Sequence, residues 1–210
     1  EEISTRGGHL LALYMKERIR PWYSLKDTIA RVHEQGGLAI IAHPLPPYPL
    51  CASERTIRKL MDEADPSFHP DGMEGFNPTT AGRALRHWSR RAPALAEELG
   101  IAATGGSDAH RAQNVGTTQT LVRRTGTVEE SLRRALAERD TRWQGDEYSW
   151  RGQLGMFTLQ TRKNLVALGA EINGKIRRNG TGRDLGYPGG KARPVAFDRD
   201  AAGLPPEGAA

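Results

Sequence analysis

A single cysteine, Cys51, stands in the 210-residue sequence, so neither an internal disulfide nor a thiolate zinc cluster is available. Any metal must be held by His, Asp and Glu. No apolar run approaches the roughly eighteen residues that a membrane-spanning helix needs. The start, Glu1-Glu2-Ile3, has neither an initiator Met nor a signal-peptide pattern. The chain therefore reads as cytoplasmic, with no membrane partner. Charge of one sign is also scarce: of the net +5, residues 144–210 account for +3, from ten Lys/Arg against seven Asp/Glu, which leaves +2 for the body. That body is nearly neutral and the basic tail reads as a solvated segment, so nucleic acid is the lesser expectation as a partner. What is present, 37% hydrophobic residues, suffices for one domain with a sizeable core and an appendage.

Short apolar runs alternate with helical patterns. His9 to Tyr14 and Leu38 to Ala42 read as buried strands, and Ser24 to Gln35 between them as a helix that opens at Ser24 and ends at Gly36-Gly37. The alternation continues with a helix over Ser53 to Ala64, a strand over Gly72 to Phe76, a helix over Thr80 to Leu99 with Pro93 as a kink or break, and a strand over Ile101 to Thr104. A strand at Thr118 to Val122 follows, then a helix opened by Thr127 with Glu130 as a capping box. This order predicts parallel strands wrapped by helices. Beyond Trp143, the apolar residues Leu154, Phe157, Leu165, Leu168, Ile172 and Ile176 suit one face of a helical extension spanning 144–178. From 179 to 210, eleven of thirty-two residues are Gly or Pro, and such a segment buries too little to offset its conformational entropy, which predicts a flexible tail. Its glycine clusters lack the strand-loop-helix setting of a phosphate loop.

Metal-ligand types stand beside predicted buried strands at Glu2, His9, His43 and the pair Asp108 and His110. In an α/β barrel, the loops at the carboxyl ends of the strands converge on one rim, so ligands distant in sequence meet in space. His43 directly follows the run Leu38 to Ala42, and Asp108 follows Ile101 to Thr104 after a Gly105-Gly106 turn. Imidazole nitrogens and carboxylate oxygens together suit zinc, manganese or iron. Taken singly, each residue has an ordinary reading: a histidine bonding the backbone at a strand end, a turn aspartate, a solvated carboxylate. The joint pattern carries the metal reading.

Glu1-Glu2-Ile3-Ser4-Thr5, His9-Leu10-Leu11-Ala12-Leu13, Ala42-His43-Pro44 and Gly106-Ser107-Asp108-Ala109-His110 appear in an order that resembles PHP-domain phosphoesterases. The last two motifs are the most specific. The stretch Asp71-Gly72-Met73-Glu74-Gly75-Phe76-Asn77 also resembles the family's strand before the final ligand motif. The resemblance spans roughly residues 1–141 and implies an α/β fold: a distorted, incomplete β/α barrel of PHP type with a C-terminal helix and a flexible tail. By the same resemblance residues 1–143 form the phosphoesterase-like domain, and two or three divalent ions (Mn, Zn or Fe) are the cofactors. Glu2, His9 and His43 would complete one metal position, with Asp108 in a second and His110 in a third. The family's opening His-x-His, and the Asp and His after it, have no counterpart, so the resemblance implies an N-terminally truncated chain with little activity of its own. His33, His69 and His87 are not expected as substitutes.

The implied activity is hydrolysis of a phosphate ester by metal-activated water, on a phosphorylated small molecule or nucleotide. Asp108 and His110 are the candidate catalytic residues, with His110 as a proton donor. Arg111 is the best placed phosphate contact, ahead of Arg83 and Arg86, since guanidinium forks match phosphate oxygens. Two other readings stay open: an exonuclease-like 5'-3' activity on RNA or DNA ends, and a non-catalytic remnant with a broken metal site.

Overall fold

Strands β1 (Glu2–Thr5) and β2 (Gly8–Leu13) are separated by only Arg6 and Gly7, and so short a link closes only an antiparallel hairpin. Ile3 faces Leu10 across it and Ser4 faces His9. In this computed structural model, residues 1–80 and 85–146 are described, all within one compact unit spanning residues 1–162. The expected extension beyond residue 146, the expected tail at 179–210 and Arg83 lie outside the described residues.

β3 (Leu38–Ile41) joins β2 in antiparallel register, Leu10 opposite Ile41 and Leu13 opposite Leu38. A parallel β2-helix-β3 unit was the expectation from the alternation, and the connection explains the difference. After β2 the chain doubles back along β1, where the Trp22 N–H donates to the Ser4 carbonyl and the Arg6 N–H to the Tyr23 carbonyl. Helix α1 (Leu25–Glu34) thus starts at the hairpin turn, with Leu25 against Gly7. It runs back to the far end of β2, where Gly37 abuts the Leu13 carbonyl and β3 begins. The extra reversal turns β3 antiparallel.

From β3 through the next two strands the parallel expectation holds, whereas the strand at Thr118–Val122, expected to continue it, pairs antiparallel in a separate ribbon. β3, β4 (Gly72–Phe76) and β5 (Ala102–Gly105) are parallel neighbours, and the open sheet has the order β1-β2-β3-β4-β5. Helix α2 (Glu54–Met61) connects β3 to β4, and α3 (Arg86–Leu99) connects β4 to β5. Thr80, expected inside this last helix, instead lies in a turn, its N–H and hydroxyl both on the Asn77 carbonyl. Pro93 sits within α3 without breaking it. It forfeits one backbone bond, and burial of Ala92, Leu95 and Ala96 holds the helix on the sheet. An antiparallel ribbon of β6 (Thr118–Val122) and β7 (Thr141–Gly145) flanks helix α4 (Val128–Glu138) in sequence. The ribbon is tied to β5 by Thr141 Oγ1 donating to the Ala103 carbonyl at 2.7 Å and by Thr120 Oγ1 donating to the Gly105 carbonyl at 2.9 Å. The molecule is therefore mixed α/β, and among the described residues the sheet does not close into a barrel.

Period-two alternation sorts the strands onto two faces. Ile3, Leu10, Ala12, Ile41 and Met73 join α1, α2 and α3 in one large core. Leu38, Ile40 and Ala102 face the other way and pack with Leu136 of α4. No helix among the described residues is long and apolar enough to cross a membrane.

Candidate metal centre

The same alternation that buries Ile3 and Leu10 puts Glu2, Ser4, His9 and Leu11 on the α4 side of the sheet. Glu2 pairs with Leu11, so His9, two residues before Leu11, is its diagonal neighbour. Glu2 Oε1 lies 2.8 Å from His9 Nδ1. His43, two residues past the end of β3, brings Nε2 to 3.1 Å from the same oxygen and 3.1 Å from His9 Nδ1. Among the described residues these three side chains form the cluster able to hold a cation. Tetrahedral donors around a zinc-sized ion stand about 3.4 Å apart, so the trio needs only a small outward movement to admit one.

The remaining ring nitrogens are anchored as metal-binding histidines require. Ser4 Oγ sits 3.1 Å from His9 Nε2, and Cys51 Sγ 3.4 Å from His43 Nδ1. The loop carrying Cys51 is locked onto the hairpin: the His9 N–H donates to the Leu50 carbonyl at 2.8 Å. Gly8, at φ +135°, lies so close to the Ala52 backbone that no side chain fits there. Bonds to His43 and His9 hold the Glu2 carboxyl well below the usual carboxylate range. Burial works against a charged His43, but its bonds to Cys51 and Glu2 outweigh that and raise it to about 11. The cluster thus concentrates negative potential on whatever positive species sits between the rings, a proton or a metal ion.

On the opposite side, Asp108 and His110 follow β5. Asp108 Oδ2 accepts from Thr79 Oγ1 at 2.9 Å. His110 Nδ1 donates to the Asp108 carbonyl at 2.9 Å, which puts the ring proton on Nδ1 and leaves Nε2 as the basic nitrogen. Between the walls lies Glu74 of β4, 4% exposed. Its Oε2 accepts from the His43 N–H at 2.7 Å and from Asn77 Nδ2 at 2.8 Å, while a side chain at position 106 would collide with its Oε1. Burial pushes the Glu74 carboxyl up, against the opposing pull of Asn77 and the His43 N–H. A register irregularity directly after Glu74, where Phe76 rather than Gly75 meets Gly105, bends β4 at the site, a common place for bulges.

Glu2, His43, Glu74, Asn77, Asp108 and His110 line one cavity of about 370 Å³, and His9 touches it through Glu2 and His43. The five ligand-type residues picked from the sequence thus meet at the carboxyl ends of β3 and β5. Arg111 is exposed and outside the cavity lining, as is Arg86. His33 pairs with Asp71, and His69 bonds the Glu63 carbonyl; neither they nor His87 line the cavity. Sequence reasoning did not select Glu74, Cys51, Ser4 or Thr79. For Glu74 a signal existed: a lone carboxylate inside an otherwise uncharged buried strand is rare without a task.

Residues 86–141, from the start of α3 through the Asp108/His110 loop to the first residue of β7, match the family model described as PHP-associated. This PHP-associated stretch contains the Asp108 wall, while Glu2, His9 and His43 lie before it. The uncharacterized protein MJ1587 of Methanocaldococcus jannaschii is 35% identical over 74 residues, which is 34% of this chain and 43% of that protein. The crystal structure of PsfC from Pseudomonas syringae PB-5123 shares the fold with a TM-score of 0.50 at 18% identity, over 78% of this chain and 64% of that one. The chain therefore spans less than two thirds of the length of either relative.

Proposed function

We propose that this chain contributes to a PHP-type metal-dependent phosphoesterase acting on a phosphorylated small molecule or nucleotide in the cytoplasm, its open sheet being part of a distorted β/α barrel. The observation that carries this reading is the meeting of Glu2, His9 and His43 with Asp108 and His110 around one 370 Å³ cavity. Glu2, His9 and His43 would hold one divalent cation (manganese, zinc or iron), and Asp108 and His110 would contribute to further positions. When bound, such a cation lowers the pKa of water and offsets charge on phosphoryl oxygens.

The chain's own residues do the rest. His110, its Nδ1 proton tied to the Asp108 carbonyl, offers Nε2 alone: that nitrogen would either ligate a cation or, when unligated, give a proton to the departing alkoxide, and it does not do both at once. Thr79 keeps the Asp108 carboxylate turned toward its own hydroxyl. Arg111, beside His110, reaches from outside the lining to phosphate oxygens.

The test is metal content after loading with zinc or manganese, with hydrolysis of an aryl phosphate by wild type and His43→Ala. Bound metal and hydrolysis that both vanish in the variant support the proposal. A chain that binds no metal and cleaves nothing is the remnant of the third reading. Faster turnover of a short oligonucleotide than of a nucleoside bisphosphate would replace the small-molecule substrate with a nucleic-acid end.

A further inference from the structure

Two residues lining the cavity, both non-glycine, have positive φ: His43 at 29° and Asp108 at 46°. They stand on opposite walls, after β3 and after β5, with β4 between them. Neither conformation is one its residue adopts freely, so each must be held by its surroundings.

A continuous run of hydrogen bonds crosses the gap. The His43 N–H donates to Glu74 Oε2 at 2.7 Å, and Asn77 Nδ2 donates to the same oxygen at 2.8 Å. Asn77 Oδ1 accepts from the Thr79 N–H at 2.9 Å and lies 2.6 Å from the Thr79 hydroxyl, which also lies 2.9 Å from Asp108 Oδ2 and shares its single proton between the two acceptors. Gly106 makes room for the Glu74 carboxyl by having no side chain. A carboxylate buried this deeply is a poor device for stability alone, since an apolar side chain of similar volume would serve as well or better.

We propose that Glu74, Asn77 and Thr79 are positioning residues that hold His43 and Asp108 at a set separation, so that the two walls of the cavity present their donors together. The proposal deepens the metal-dependent reading and rests on it for its catalytic meaning. Glu74 acts through the His43 backbone: it sets the turn from which the imidazole reaches Glu2 and His9. Asn77 and Thr79 pass the same constraint to Asp108.

The experiment uses the full chain as wild type, Glu74→Gln, Glu74→Ala and Thr79→Val. Histidine ring nitrogen shifts are recorded without metal, followed by a cobalt titration read by visible absorption, with thermal unfolding as the control for folding. Glutamine can offer one oxygen to both the His43 N–H and Asn77, so Glu74→Gln should keep the His43 ring signature and the cobalt affinity. Glu74→Ala should move that signature and weaken cobalt binding roughly 10- to 100-fold, the usual effect of losing an outer-shell partner. Thr79→Val, which keeps the shape and removes the hydroxyl, should leave His43 unchanged and speed amide exchange over residues 106–110.

Glu74→Ala with wild-type ring shifts and cobalt affinity overturns the proposal, as does Glu74→Gln falling as far as the alanine variant. Unchanged exchange in Thr79→Val removes the Asp108 arm. Should wild type bind no cobalt while the His43 shifts still move in Glu74→Ala, the metal-dependent reading fails and the positioning role stands.

Discussion

On one face of the five-stranded sheet, Ile3, Leu10, Ile41 and Met73 are sealed beneath α1, α2 and α3. On the other, α4 packs on Leu38, Ile40 and Ala102 and leaves Glu2, His9 and Glu74 around the cavity. The same strands build both faces, and neighbouring residues on one strand fall to opposite tasks. The lesson is a division of labour: burial on the first face supplies the stability that lets polar and ligand groups gather on the second. Substitutions on the two faces should therefore have separable effects.

The largest effect belongs to the open face. His43→Ala removes one of three converging donors and should abolish zinc or cobalt binding, a loss of more than about 100-fold by calorimetry, while the chain still folds on its large apolar core. Next comes the sealed face. Ile29, fully buried in the large core, should cost about 2–5 kcal/mol when changed to alanine, read as a lower urea midpoint, with metal affinity of the folded fraction unchanged. If Ile29→Ala weakened metal binding as much as His43→Ala, the division between the faces would not hold.

Smaller effects sharpen the comparison at the ends of elements. Thr127 caps α4 through a reciprocal bond set with Glu130, and Thr127→Ala should cost about 1 kcal/mol without altering the site. The smallest is a pH effect away from the cavity. His33 Nε2 lies 2.9 Å from Asp71 Oδ2, and Asp71 also accepts from the Ala39 N–H at 2.7 Å. The bond to Asp71 outweighs burial and raises the His33 pKa. A raised folded-state pKa gives stability that is fully present below the unfolded value of about 6.5 and lost as pH rises through the folded value. Urea unfolding should therefore show the wild-type advantage over His33→Gln shrinking from about pH 5.5 to about pH 8.5. An advantage that grows over that range would show the pair acting with the opposite sign.

The helices were legible because their signals are local. Ser24, with its side chain on the Asp27 N–H, and Thr127 with Glu130 announce their starts within four residues. β3 was legible as an unbroken apolar run. His43 directly follows such a run and Asp108 follows Ile101 to Thr104 after the Gly105-Gly106 turn, so their places at strand ends, where both line the cavity, were legible. The hairpin partner β1 was harder to read: four residues mixing Glu, Ile, Ser and Thr show little of a strand until paired. β7 is similar, since Thr141–Gly145 contains no aliphatic residue and takes its place by pairing with β6. The direction of β3 relative to β2 hung on the doubling back of residues 14–24, a loop path that no periodicity encodes.

Glu74 marks the same boundary within the site. Its strand was recognised, but its role depends on which N–H groups reach it, and those come from His43, 31 residues away, and from Asn77 after the β4 irregularity. Cys51 likewise meets His43 only through the fold of the loop that contains both.

By itself the sequence determined the alternating α/β plan, the helix caps and the chemical types of the candidate ligands, because propensity, capping and donor chemistry reside in neighbouring residues. Only the tertiary structure decided that β1 to β3 run antiparallel, that the sheet's two faces divide the large apolar core from the polar cavity, and that Glu74 lies between the two walls. Those outcomes depend on contacts between residues tens of positions apart, which become defined only when the core closes.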